Sequence, residues 1–211
     1  MIQFVKYHKS YGSNTVLKID NLAVQPGIYW IKGANGSGKS TFLKTIAGII
    51  HFDGDILLNQ HISVKKKPVA FRKLVNFAEA EPIFPTFLTG REMVKLFTST
   101  KGAPGGQEAY FIDSMQMNDY INEPIGTYSS GMLKKLSIVL AFIGNPQLIL
   151  LDEPLITIDT ESLKILYKWI EEKNQKEHVS FFLSSHQPLD INELTLTDAL
   201  LVDMQTVKFK P

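Results

Sequence analysis

The sequence contains no cysteine. Disulfides and thiolate metal sites are therefore excluded, a composition that suits a reducing cytosol. Excess charge is missing too: 22 Lys and Arg stand against 21 Asp and Glu, a formal net charge of +1. Such a balance gives no sign of a nucleic-acid or acidic partner. Long apolar runs are absent, since the longest fall well short of the ~20 residues needed to span a bilayer. The start, Met1-Ile2-Gln3-Phe4-Val5-Lys6, lacks the apolar stretch of a secretory leader. What is present is a chain of 211 residues, 44% of them hydrophobic, enough for one substantial core or a core with a small appended lobe.

One stretch organises the rest. Ile28-Tyr29-Trp30-Ile31-Lys32 is an apolar run that ends in Gly33-Ala34-Asn35-Gly36-Ser37-Gly38-Lys39-Ser40-Thr41. After it, Phe42, Leu43, Ile46, Ala47, Ile49 and Ile50 recur with helical spacing. This is strand, loop and helix, with the phosphate-loop pattern G-x-x-x-x-G-K-[ST] filling the loop. Glycines let the backbone curl so that successive N–H groups point inward at a phosphate, and the helix N-terminus adds partial positive charge. Lys39 can reach the β- and γ-phosphates of a nucleotide, and the Ser40 hydroxyl can ligate Mg²⁺.

Ahead of this loop, Ile2 to Tyr7, Val16 to Ile19 and Leu22 to Val24 read as short antiparallel strands, broken at Gly12-Ser13-Asn14 and Asp20-Asn21. Ile56-Leu57-Leu58 and Leu74-Val75-Asn76-Phe77 read as further strands, and Lys65-Lys66-Lys67-Pro68 as a solvated turn. Helical spacing returns over 91–97 and 107–115, then from Ser129 or Ser130 to about Ile143. The middle of the chain, about 83–145, is therefore expected as a mostly helical lobe inserted between strands. Leu148-Ile149-Leu150-Leu151 has the continuous apolar character of a parallel strand buried on both faces. A helix over 160–173 and strands over 179–183, 199–202 and 207–209 complete the expectation.

Two of these strands end in polar groups, one in Asp152-Glu153 and the other in Ser184-Ser185-His186. The carboxyl ends of strands are where α/β folds place their chemistry. Next to a phosphate loop, Asp152 can hold the Mg²⁺ shell and Glu153 can polarise an attacking water, with His186 as a further functional group.

These elements resemble the nucleotide-binding subunit of ATP-binding cassette (ABC) transporters, over essentially the whole chain and in the family's order. Tyr11 matches the aromatic that stacks on adenine, and Gly33 to Thr41 match the Walker A loop. Tyr128-Ser129-Ser130-Gly131-Met132 match the signature, usually Leu-Ser-Gly-Gly-Gln. Leu148 to Glu153 match Walker B with its catalytic glutamate. Ile156-Thr157-Ile158-Asp159 match the D-loop, and His186 the switch histidine. The resemblance implies a P-loop NTPase (RecA-like) α/β core with an N-terminal antiparallel β subdomain and an inserted helical subdomain, forming one ATPase domain over 1–211. It implies ATP and Mg²⁺ as ligands. It also implies a head-to-tail dimer in which Ser129, Ser130, Gly131 and Asp159 serve the nucleotide on the other subunit's Walker A loop.

The sequence departs from that family in its signature, at Ser130 and Met132, and after Glu-Pro, at Leu155. The largest departure is in the Q-loop, where Ala80 stands at the position of the glutamine, flanked by Glu79 and Glu81. Glu79 is taken as the surrogate Mg²⁺ ligand, and the apolar cluster Pro82, Ile83, Phe84 and Phe87 as the groove that receives a membrane partner. The resemblance leans to small bacterial exporters: an ATPase subunit, cytoplasmic and peripheral on the inner face of the membrane, that powers a separate permease and binds no nucleic acid. The alternatives are a soluble non-transport ABC ATPase, or a cassette that binds ATP and hydrolyses it weakly.

Overall fold

A computed structural model describes residues 1–186 and 193–210. The chain opens with β1 (Ile2–Tyr11) and β2 (Asn14–Val24), an antiparallel hairpin. β2 runs unbroken through Asp20-Asn21, where a break was expected. Asn21 lies opposite Val5 and Ile19 opposite Tyr7, so the ladder continues while the two polar side chains face solvent. β4 (Asp53–Leu58) and β5 (Ile62–Ser63) extend this sheet in the order β2-β1-β4-β5.

The second sheet has the order β10-β9-β3-β8-β7-β6, from β3 (Ile28–Lys32), β6 (Val75–Ala78), β7 (Leu148–Asp152), β8 (Ser180–Ser184), β9 (Asp198–Asp203) and β10 (Thr206–Phe209). Every pairing is parallel except that of the edge strand β10. Both faces are covered, which is why β7 reads as a continuous apolar run. Leu148 and Leu150 pack with Phe42, Leu43 and Ile46 of α1 (Lys39–Ile46) on one side. Ile149 and Leu151 pack with α5 (Ser130–Phe142) and α6 (Thr160–Glu177) on the other. This is the P-loop NTPase α/β fold, with an antiparallel β subdomain ahead of the core.

Two local expectations are corrected. Lys65, Lys66 and Lys67 form a turn, but Pro68 opens α2 (Pro68–Leu74). Proline is pre-organised for a first helical position, and the fully buried Phe71 anchors the helix. Leu74 therefore closes a helix, and the strand begins at Val75.

Between β6 and β7 lie α3 (Gly90–Lys101), α4 (Gln107–Ser114), a 3₁₀ turn at Ile125–Thr127, and α5. A capping box starts α3: Thr89 Oγ1 accepts from the Glu92 N–H at 3.1 Å, and the Glu92 carboxylate accepts from the Thr89 N–H at 2.8 Å. The aromatic rings of Phe111, Phe142 and Trp169 lock α4, α5 and α6 together, with Phe111 and Trp169 edge to face at 4.7 Å. Phe84, expected with its neighbours in an exposed cluster, is half-buried against this core, whereas Ile83 and Phe87 are 91% and 80% exposed.

Candidate functional site

The strand register sets the site. Ile31 lies opposite Ser184 and Asp152 opposite Ser184, so β3, β8 and β7 end at one level. The loop after β3 curls back at that level. Gly38 immediately precedes α1 at φ 106°, a conformation that L side chains rarely adopt, and a Cβ there would stand 3.0 Å from Val16. Lys39 Nζ folds over its own loop, donating to the carbonyls of Gly33 and Ala34 at 2.9 and 3.1 Å. Burial pulls its pKa below the ordinary lysine value, and the charges of Glu153 and Asp152 oppose that pull.

Tyr11, Asn35, Gly36, Gly38, Lys39, Ser40, Thr41, Glu153 and His186 line one open cleft of about 460 Å³. Tyr11 is 54% exposed at its rim, and Lys9 Nζ sits 4.1 Å from the ring centroid. Ser37, whose hydroxyl is buried without a partner among the described residues, lies between Gly36 and Gly38.

Asp152 and Glu153 are both buried. Asp152 Oδ1 accepts from Ser184 Oγ at 2.5 Å, while Oδ2 is buried with no hydrogen-bond partner among the described residues. A carboxylate oxygen left free in this way, beside a phosphate loop carrying the Ser40 hydroxyl, suits the hard oxygen-ligand preference of Mg²⁺. Glu153 takes φ 46° at the strand end. Its carboxylate accepts from the His186 N–H at 3.2 Å and lies 3.2 Å from His186 Nε2. The base candidate and the histidine thus meet directly.

A model of the ABC transporter family matches residues 17–156. The chain belongs to that family, as one of its ATPase cassettes. Among curated relatives, it is 32% identical to ABC transporter A family member 1 of Dictyostelium discoideum over 88% of this chain and 21% of the relative. It is 25% identical to the lantibiotic transport ATP-binding protein SrtF of Streptococcus pyogenes over 92% of this chain and 83% of the relative. The first four relatives are much longer proteins, of which this chain spans 21%, 25%, 9% and 8%. Among solved structures, it resembles the dimeric post-hydrolysis state of the ATP-binding cassette MJ0796 bound to ADP and Pi, with TM-score 0.83 and 21% identity over 100% of this chain and 98% of the other.

The remaining cassette motifs lie outside the Tyr11 cleft. Ser129 caps α5, its Oγ accepting from the Met132 N–H at 3.3 Å, while Met132 Sδ accepts from the Ser129 N–H at 3.4 Å. Met132 thereby takes the reciprocal capping role that a glutamine fills in a capping box. Ser130 is the first residue of α5 and has no positive φ, so its extra Cβ carries no backbone strain. A Cβ on Gly131 would stand 2.9 Å from the Thr157 carbonyl, which explains the glycine. Asp159 caps α6 through Ser162, and Lys135 Nζ lies 2.7 Å from its carboxylate. Burial pushes the Asp159 pKa up, but the bonds from Lys135 and Ser162 outweigh it and hold the carboxyl at about 2.

The loop after β6 departs most from the sequence expectation. The Glu79 carboxylate is paired with Lys44 of α1 and does not line the cleft. Ala80, Glu81, Pro82 and Ile83 instead border a second groove of about 480 Å³, shared with Ser130, Leu133, Ile156, Thr157 and Glu153. Three residues to which sequence reasoning gave no role hold the surroundings of the site: Ser184, Lys44 and Lys134. Lys134 is 1% exposed, and burial pulls its pKa down to about 8 against the opposing charges of Asp152, Glu153, Glu81 and Glu79. The available signal was positional, since Lys134 shares a helix face with the buried Ile138 and Ala141.

Proposed function

We propose that this cassette binds ATP in the Tyr11–Lys39–His186 cleft, hydrolyses it as a head-to-tail dimer, and so powers a separate membrane permease, in the export direction. The observation that carries the reading is the meeting of phosphate loop, Glu153 and His186 in one cleft, with one Asp152 oxygen unpaired beside it. Tyr11 offers a ring face to the adenine. The N–H groups of the loop and the start of α1 receive the phosphates, and Lys39 exchanges its two carbonyl partners for phosphate oxygens. Ser40 and Asp152 would hold Mg²⁺, with Glu79 as a further ligand once released from Lys44. The ion supplies charge neutralisation on the phosphates when bound. Glu153 accepts the proton of the attacking water, and His186 orients that carboxylate.

Ser129, Ser130, Gly131 and Asp159 lie away from this cleft on the same chain, which supports their use on a second chain's nucleotide. That chain is either a copy or a different cassette. The helical segment 83–145 acts as a lobe of one domain spanning 1–211. Among the described residues no helix is long and apolar enough to cross a membrane. Exposed Ile83 and Phe87 provide an apolar docking surface for the permease. The permease would hold the protein on the inner face of the membrane, and no nucleic acid is involved. The name of SrtF, a lantibiotic transport ATP-binding protein, supports a transport role.

The test has two arms. Lys39→Ala should abolish ATP binding in a calorimetric titration. Glu153→Gln should bind ATP, lose turnover by ~10²-fold or more, and elute as an ATP-dependent dimer on a sizing column. Unchanged affinity in the first, or wild-type turnover in the second, overturns the reading.

A further inference from the structure

The loop after β6 has no glutamine with which to follow the nucleotide, and Ala80 offers only backbone. That backbone is held from below. Lys134 Nζ donates to the carbonyls of Ala80 at 2.8 Å, Glu79 at 3.2 Å and Asp152 at 3.2 Å. An ammonium has three donors, and here all three are used. The acceptors follow from the register: Ala78 lies opposite Leu151, so Glu79 and Asp152 come next, where β6 and β7 separate and their ladder ends. Carbonyls at such a fork lose their ladder partners and need donors from elsewhere.

We propose that Lys134 is a positioning residue that ties the loop 79–82 and the end of β7 to helix α5, so that displacement of the loop is transmitted to Asp152 and to the α5 N-terminus. The mechanical logic is short range. Lys134 lies one helical turn from Ser130, on a helix fixed to the sheet by Leu136, Ile138 and Val139. An apolar side chain of the same length would fill the space equally well. Only a multiple donor links two backbone segments that the catalytic end of the sheet depends on. This inference rests on the cassette reading for its functional consequence, but the tether itself exists without nucleotide.

Hydrogen exchange on the nucleotide-free full chain tests it, comparing wild type with Lys134→Met and Lys134→Arg. In Lys134→Met the amides of Glu79, Ala80, Glu81 and Glu153 should exchange about tenfold faster, while β3 and β8 stay protected. In steady-state assays the same variant should lose about tenfold in kcat with KM for ATP within about twofold, and Lys134→Arg should recover most of both effects. Should Lys134→Met fail to fold, Lys134→Gln, which keeps two N–H donors, is measured the same way and should fall between wild type and the effects expected of Lys134→Met. Unchanged exchange at Glu79, Ala80 and Glu81 overturns the tether, as does acceleration spread evenly over the sheet. A wild-type protein without ATP turnover would overturn the cassette reading, while the exchange result would still decide the tether.

Discussion

Ser184 stands between the two acidic residues that end β7. Its hydroxyl donates to Asp152 Oδ1 at 2.5 Å and accepts the Glu153 N–H at 3.0 Å. One side chain from the neighbouring strand therefore aims the metal-binding candidate and fixes the backbone that carries the base candidate. Ser184→Ala removes a buried hydrogen bond to a charged group and should cost about 2 kcal/mol of stability in a denaturant titration. It should also raise the Mg²⁺ concentration for half-maximal turnover while leaving nucleotide affinity unchanged, and Ser184→Thr should restore it. A Mg²⁺ curve that superimposes on wild type would leave Ser184 with a packing role only.

Much of this was legible in the sequence, and the reason is the range of the signal. The phosphate loop, the β7 run with Asp152-Glu153 and the α5 periodicity are local patterns, set by backbone geometry and by burial on one or two faces. Ser184, Lys44 and Lys134 act through pairings between segments 30 to 60 residues apart. Nothing in the local pattern announces such pairings, and a lysine on a helix is by default solvated. The missed helix α2 shows the converse. The lysine turn before it is as expected, but the helix itself starts only at Pro68 and has a single buried anchor, Phe71, too little periodicity to stand out.

Glu79 is paired with Lys44. Under the proposed function, Lys44 would compete with Mg²⁺ for that carboxylate. Lys44→Met should therefore lower the Mg²⁺ needed for half-maximal ATPase activity, and Glu79→Ala should raise it. The exposed Glu81 has no such pairing among the described residues, and Glu81→Ala should leave the curve in place. Three coincident curves would remove Glu79 from the metal site.

Lys101 provides a pH signature distant from the catalytic end. Its ammonium closes α3 on the Arg72 and Val75 carbonyls. Burial, with the Arg72 charge adding to it, brings its pKa from the ordinary 10.5 down to about 8. Between pH 8 and 10.5 the unfolded chain holds the proton that the folded one has released, so this residue's contribution to stability rises with pH across that window. Below pH 8 both states are protonated and the contribution is flat. Urea denaturation from pH 7 to pH 10 should therefore show wild type gaining on Lys101→Met only above pH 8. Parallel curves would mean that the lysine is not shifted.

The apolar surface beside the loop after β6 separates a permease subunit from a soluble ATPase. Sequence reasoning placed Phe84 in this surface, but Phe84 packs on the core, so Phe84→Asp would confound docking with folding. Ile83 and Phe87, at 91% and 80% exposure, have almost no folded contacts to lose. Exposed apolar side chains of this size beside a groove are the usual mark of a partner surface. Placing a carboxylate on each costs little in the isolated protein and much in an apolar interface, because the charge would be buried unpaired. Ile83→Asp and Phe87→Asp should keep the melting temperature within about 2 °C of wild type and retain basal ATPase activity, yet shift the protein from the membrane to the supernatant fraction of lysed cells. Retention of both variants on membranes would place the docking surface elsewhere, and a wild-type protein already in the supernatant would favour the soluble ATPase.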